Sequence, residues 1–166
     1  MAGTVPRVDM TLSKRGDYAV RSAIALARRY TAGDYYKVRQ VIAEMQVPAT
    51  YASQILADLI RAGLAVSRAG KSGGYRLTRS PDDITVLDII EAAEGPLRAE
   101  RCALGEGPCR WESVCPLHDT WISATDSLRE TLSLVTLSAL ARQDALLATG
   151  TASIPSTSHR LSGRRI

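Results

Sequence analysis

The residues best equipped for chemistry are crowded into one stretch, Cys102 to His118, "CALGEGPCRWESVCPLH". It holds Cys102, Cys109 and Cys115, all three cysteines of a 166-residue chain, and His118 follows three positions after the last. Thiolates are the preferred protein ligands of iron–sulfur clusters, which usually take four ligands. Structural zinc sites usually include a tight Cys-to-Cys chelate with roughly two to four residues between the sulfurs. Neither cysteine gap here is that short, and only Cys115 and His118 have chelate spacing. Wider gaps suit a bulkier centre that a loop must wrap, and Gly105, Gly107 and Pro108 supply the curvature. Spacing alone leaves three states open: a cluster, zinc, or free thiols.

The elements that must position this segment are legible on both sides of it. Residues 1–9 are expected to be a flexible arm. Val20, Ala23, Ile24 and Ala27 predict a helix from Ser13 to Tyr30, broken by Gly33. Val38, Val41, Ile42 and Met45 mark a short second helix, and "QVPAT" turns the chain. Thr50 is a candidate cap for a third helix whose inner face is Ile55, Leu56, Leu59 and Ile60, ending at Gly63. "LAVSR" and "YRLTR", joined by "AGKSGG", predict a hairpin with a glycine-rich tip. A fourth helix is expected from "SPD" to Gly95, with Val86, Ile89, Ile90 and Ala93 inward.

After the cysteines, one long helix is predicted from about Leu117 to Leu147. Trp121, Thr125, Leu128, Leu132, Val135 and Ala139 step by four and three alternately along it, the signature of helix pairing. The end of the chain, rich in Ser, Thr, Gly and Pro, is expected to be disordered. The segments are therefore an arm (1–9), a DNA-binding domain (10–96), a cysteine loop (97–118), a dimerisation helix (119–148) and a tail (149–166). The fold class is mainly α: a winged helix-turn-helix with a small two-stranded wing and a long C-terminal dimerisation helix.

Charge separates these parts more sharply than the net +4 suggests. Residues 1–80 carry thirteen Lys/Arg against five Asp/Glu, whereas residues 81–150 carry five against twelve. A basic half on a helix-turn-helix scaffold is an electrostatic footprint for double-stranded DNA. The third helix would enter the major groove, offering Thr50, Tyr51, Ser53 and Gln54 to bases and phosphates. Arg68, Lys71, Gly73 and Tyr75 of the wing are the further candidate contacts. No apolar run of about eighteen residues and no secretory leader pattern is present, so a cytoplasmic protein with reduced thiols is expected. No nucleotide-binding glycine fingerprint or nucleophile–base pair points to an enzyme; "GKSGGY" lacks phosphate-loop spacing.

Three pieces together resemble the Rrf-two type of bacterial winged-helix regulators, which includes IscR-like and NsrR-like iron–sulfur sensors. They are "MTLSKRGDYAVRSAIALA", the run from "VPATYASQ" through "GKSGGYRLTRSPDDITVLDIIEAAEG", and the three-cysteine segment. There are departures from the family pattern. Arg68 sits one residue earlier than the usual wing arginine, Ala69 takes its place, and the first two cysteines have six residues between them rather than five.

The resemblance implies a homodimer on a pseudo-palindromic operator, with an iron–sulfur cluster held by Cys102, Cys109 and Cys115. It also implies two contenders for the fourth ligand. His118 matches the histidine of [2Fe–2S] members, and Asp17 matches an aspartate that the partner subunit's first helix brings to a [4Fe–4S] cluster. Asp17 and [4Fe–4S] are preferred, because a ligand from the partner ties the cluster to the DNA-binding half. The expected function is a transcriptional regulator, such as a repressor, whose operator affinity follows nitric oxide, redox state or iron–sulfur supply. The alternative is a cluster-free regulator controlled by zinc or thiol oxidation.

Overall fold

Ser13 opens the first helix: its hydroxyl accepts from the N–H groups of Arg15 and Gly16 at 3.1 and 3.4 Å, satisfying donors that a helix start leaves unpaired. The helix it opens, α1 (Lys14–Arg28), is the centre of the computed structural model, which describes residues 12–30, 35–97, 111 and 115–151. The predicted arm, the tail beyond Thr151, and Cys102 and Cys109 lie outside the described residues.

Along α1 the apolar spacing buries Ala19, Ala23, Ile24 and Leu26. Two further helices follow, α2 (Val38–Met45) and α3 (Ala49–Arg61), and both pack against α1. Between them Gln46 takes a left-handed backbone, φ 52°, which makes the turn tight. Ile55, Leu56 and Leu59 of α3 are fully buried, each worth about 1.5–3 kcal/mol relative to exposure. Gly63 ends α3 at φ +71°, and Leu64 N–H closes back on the Leu59 carbonyl at 2.9 Å. That is the glycine stop the sequence predicts.

The wing is the antiparallel pair β1 (Ala65–Arg68) and β2 (Gly74–Leu77), in which Ala65 faces Leu77 and Arg68 faces Gly74. Tyr36 adds a single bridging residue to its edge, exchanging both backbone hydrogen bonds with Tyr75 at 2.7 and 2.9 Å. The wing is thereby fixed to the segment that leads into α2.

Two expectations are corrected beyond the wing. The Ser-Pro-Asp start belongs to a short 3-10 turn, Pro81–Asp83, capped by Ser80. The helix proper, α4 (Val86–Glu94), begins later, where Thr85 and Asp88 cap each other at 3.1 and 2.9 Å. The continuous helix expected from Leu117 to Leu147 is two helices, α5 (His118–Ser133) and α6 (Leu137–Ala148).

The break lies around Thr136, which faces Thr85 in a backbone bridge while its neighbours Val135 and Leu137 pair with Val86 and Ile84 instead of continuing the helix. Val86 N–H donates to Val135 O at 2.9 Å and Leu137 N–H to Ile84 O at 2.7 Å, while the Thr136 hydroxyl caps α6 through Ala139 N–H. Leu137 and Ala141 are consequently buried against the body, and α6 packs on α1. None of the predicted seam residues joins the core, and the residues that α6 buries, Leu137 and Ala141, lie off the seam. On α5, Trp121 and Leu128 remain 40% and 37% exposed.

Candidate nucleic-acid interface and metal centre

The buried face of α3 decides which of its residues can reach outward. With Ala52, Ile55, Leu56 and Leu59 turned inward, Thr50, Tyr51, Ser53 and Gln54 come to the surface together near the helix start. Thr50 is not the cap. Pro48 occupies that position and provides no side-chain hydrogen bond, so Thr50 sits in the first turn. A helix start without a side-chain cap keeps its N–H donors available to a phosphate.

Tyr51 is oriented by a partner on α1. Its ring lies 5.2 Å from that of Tyr18, tilted by 56°. The Arg21 guanidinium stands 6.0 Å over the other ring of this pair, Tyr18. Arg21 in turn holds Asp17, with Nε donating to Oδ1 at 2.9 Å and Nη2 2.8 Å from Oδ2. The candidate ligand Asp17 and the candidate DNA-reading Tyr51 are thus joined by two intervening side chains. Sequence reasoning missed both Tyr18 and Arg21. Their positions one and four residues after Asp17 on a helix are the signal that could have found them.

A second tie between α1 and α3 is ionic. Asp58 is 1% exposed on the inner face of α3. Its Oδ2 accepts from Arg15 Nε and Nη2 at 2.9 and 2.5 Å, and Oδ1 is held by Arg61. A buried carboxylate is tolerable only when paired in this way. The signal was its place three residues after Ile55 within an apolar stripe.

On the wing, Arg68 and Lys71 are exposed, as a DNA contact requires. Gly73 is buried instead. A Cβ there would lie 2.0 Å from the Arg68 carbonyl oxygen, so glycine is needed for the hairpin to close. Tyr75 is half-buried, packed against the core and paired through its backbone with Tyr36. Their part is to shape the wing.

At the cysteine segment, the described residues are its two ends and Trp111. Leu97 is clamped before it: its N–H donates to Glu91 Oε1 at 2.9 Å, and its carbonyl accepts from Arg129 Nη1 at 2.6 Å. Arg129 also pairs with Glu91, so α4 and α5 grip the same residue. After the segment, Cys115 carries a half-buried free thiol, and its carbonyl accepts from His118 N–H at 3.1 Å as α5 begins. His118 is exposed. At the end of α4, Glu94 Oε1 accepts from Ser13 N–H at 2.9 Å, seating the start of α1 on that helix. Gly16 leaves room for that carboxylate; a Cβ would approach it to 2.3 Å.

Among the described residues no group of three or more His, Cys, Asp or Glu side chains is placed to hold a metal, Cys102 and Cys109 being outside them. The donors fit a cluster by their chemistry: three thiols, one of them free at Cys115, and an oxygen or nitrogen donor at Asp17 or His118. No helix among the described residues is long and apolar enough to cross a membrane.

Comparison with known proteins agrees with this layout. Residues 12–143 match a family model described as Rrf2, iron-dependent transcriptional regulator. The HTH-type transcriptional regulator CymR of Bacillus subtilis is 32% identical over 132 residues, covering 80% of this chain and 90% of that one. Its structure, described as that of the global cysteine regulator, superposes with a TM-score of 0.66 at 27% identity, over 81% of this chain and 98% of the other. The HTH-type regulator IscR of Escherichia coli O1:K1 is 29% identical over 138 residues, 83% of this chain and 84% of that one. A solved IscR from T. potens gives a TM-score of 0.64 at 27% identity, over 84% of this chain and 90% of the other. These relatives are regulators, not enzymes.

Proposed function

The chain belongs to the Rrf2 family of winged-helix, DNA-binding transcriptional regulators, and from that premise we propose that its operator affinity is set by an iron–sulfur cluster on Cys102, Cys109 and Cys115. The observation that carries this reading is the three-cysteine segment, joined to the family's description as iron-dependent. When bound, the cluster supplies iron that reacts with nitric oxide or oxidants, and a non-thiolate fourth ligand leaves one corner exchangeable. Asp17 of a second subunit is the preferred fourth ligand, and His118 the competitor. The partners are a pseudo-palindromic DNA operator and a second copy of the chain, in the cytoplasm.

The chain's own residues provide the transmission. Asp17 is held by Arg21, which stands over Tyr18, which packs on Tyr51 of α3. Drawing Asp17 away from Arg21 frees the guanidinium, and the Tyr18–Tyr51 pair loses its lateral support. Arg15 and Asp58 keep α1 and α3 moving together, so a displacement of α1 carries the recognition helix with it. In a dimer, α5 would pair through Trp121 and Leu128. A change in the separation of two recognition helices alters binding to half-sites fixed one helical turn apart. Thr50, Ser53 and Gln54 would meet the bases, and Arg68 and Lys71 the backbone.

The kinship with CymR favours a second reading, a cluster-free regulator worked by thiol oxidation or zinc at the same cysteines. Anaerobic purification followed by native mass measurement and iron, sulfide and zinc assays separates the two. A brown dimer carrying iron and sulfide at one cluster per subunit supports the first reading, and a colourless protein sinks it.

A further inference from the structure

We infer that a cavity beside the wing is a binding site for an oxyanion, a phosphate or carboxylate group. The cavity has a volume of about 410 Å³, within the range of small-molecule sites, roughly 300–1,000 Å³. It lies between the end of α1, the edge residues Tyr35 and Tyr36, Gln40 of α2 and strand β2. Arg28, Arg29 and Arg76 line it, with Tyr30, Tyr35 and Tyr36, and no carboxylate is among the described lining residues.

The charge on these walls is only partly met. Arg28 is neutralised by Glu44 at 3.2 Å and Asp144 at 2.5 Å. Arg29 and Arg76 instead rest on ring faces, Arg29 5.6 Å from the centre of Tyr36 and Arg76 5.0 Å from that of Tyr35. Neither has a carboxylate partner among the described residues. The Nε atoms of Arg28 and Arg76 are buried with no acceptor among the described residues. Buried donors of this kind are rare in folded proteins and ask for a partner. A planar guanidinium is shaped to bind phosphate or carboxylate through two parallel hydrogen bonds.

The ring walls add a preference for a flat body attached to the anion. Tyr36 gives its hydroxyl to Glu44, so its contribution is the ring. Residues 31–34, between Tyr30 and Tyr35, are outside the described residues, and the site is argued from the described ones alone. Because the cavity touches both α1 and β2, an occupant would brace the wing against the helix that carries Asp17. The oxyanion has two sources, a phosphate of the bound DNA or a free small molecule.

Phenyl phosphate is a suitable probe, offered to the full chain by calorimetry and thermal unfolding, beside the salt dependence of DNA binding. The variants are Arg76→Gln and Arg29→Gln, with circular dichroism as the check on folding; the second is read where the first does not fold. If the source is a free molecule, phenyl phosphate stabilises the wild type. It then binds either variant on the order of tenfold more weakly, one hydrogen-bonded charge being worth about that factor. If the source is DNA, the variants shift the slope of log affinity against log salt by about 0.9, and phenyl phosphate has no effect. The inference is overturned if folded variants match the wild type in both measurements, or if phenyl phosphate binds wild type and variants equally.

Discussion

Asp17 and Arg21 form a two-point ion pair one turn apart on α1, with contacts of 2.9 and 2.8 Å. The pair is the inner end of a chain of contacts that reaches the recognition helix through Tyr18 and Tyr51. On the proposed function, it would let the DNA-binding helix respond to whether the Asp17 carboxylate is engaged elsewhere.

Replacing the two contenders for the fourth ligand should therefore give unlike results. Asp17→Ala is expected to shift the visible absorbance of anaerobically purified protein and blunt its response to nitric oxide. His118→Ala is expected to leave both unchanged. The reverse pattern would assign the ligand to His118, which starts α5 just after Cys115.

At the operator, Gln54 and Lys71 should differ in kind. Gln54 has the amide geometry to read one base, so Gln54→Ala should cost about 1–3 kcal/mol and relax specificity at one position. Lys71→Ala should weaken binding to all sequences alike and reduce the salt slope by about 0.9. Binding titrations on an operator and its single-base variants, at several salt concentrations, read both effects. Equal losses on every sequence for Gln54→Ala would remove it from base readout.

Asp58 is a buried charge with two arginine partners, one of which, Arg15, is 39% exposed. Loss of a buried pair costs about 3–5 kcal/mol, and the exposure of Arg15 places this one at the low end or below. Replacement by Ala leaves two arginines facing an apolar site and unties α1 from α3. Urea unfolding of Asp58→Ala should show a midpoint well below wild type, and an unchanged midpoint would mean the pair is dispensable.

Tyr36 has its pKa raised, first by burial and then by its hydrogen bond to Glu44 and the negative charge there. The fold thus favours the protonated phenol. The stabilisation is complete below the unfolded tyrosine value of about 10 and is lost as pH rises through the higher folded value. Stability should fall on the alkaline side, and Tyr36→Phe should flatten that part of the profile. A profile identical to wild type in the variant would contradict the assignment.

Much of this fold is written in local pattern. The inner face of α3, its stop at Gly63 and the wing strands follow from apolar spacing and glycine placement, which act over a few residues. The break at Thr136 does not. Val135 and Ala139 continue the seam begun at Trp121, so periodicity reads one helix where backbone pairing with Ile84 and Val86 makes two. The site divides in the same way. Thr50, Tyr51, Ser53, Gln54, Arg68 and Lys71 reach the surface because an inward stripe or a hairpin tip leaves them nowhere else to go. Gly73 and Tyr75 are turned to structural use by a carbonyl and a partner strand that only the folded chain brings near. Asp58 was hidden for the same reason, since its partner Arg15 lies on another helix, whereas Arg21 is within reach of local spacing, one turn after Asp17.

The most direct test compares operator affinity with and without the cluster. Anaerobically purified wild type would be titrated on its operator before and after nitric oxide, beside a variant with Cys102, Cys109 and Cys115 all changed to Ala. The account predicts at least a tenfold change in wild-type affinity, a coupling of about 1.4 kcal/mol, and none in the variant. Equal affinity before and after treatment, or a response kept by the variant, would contradict it.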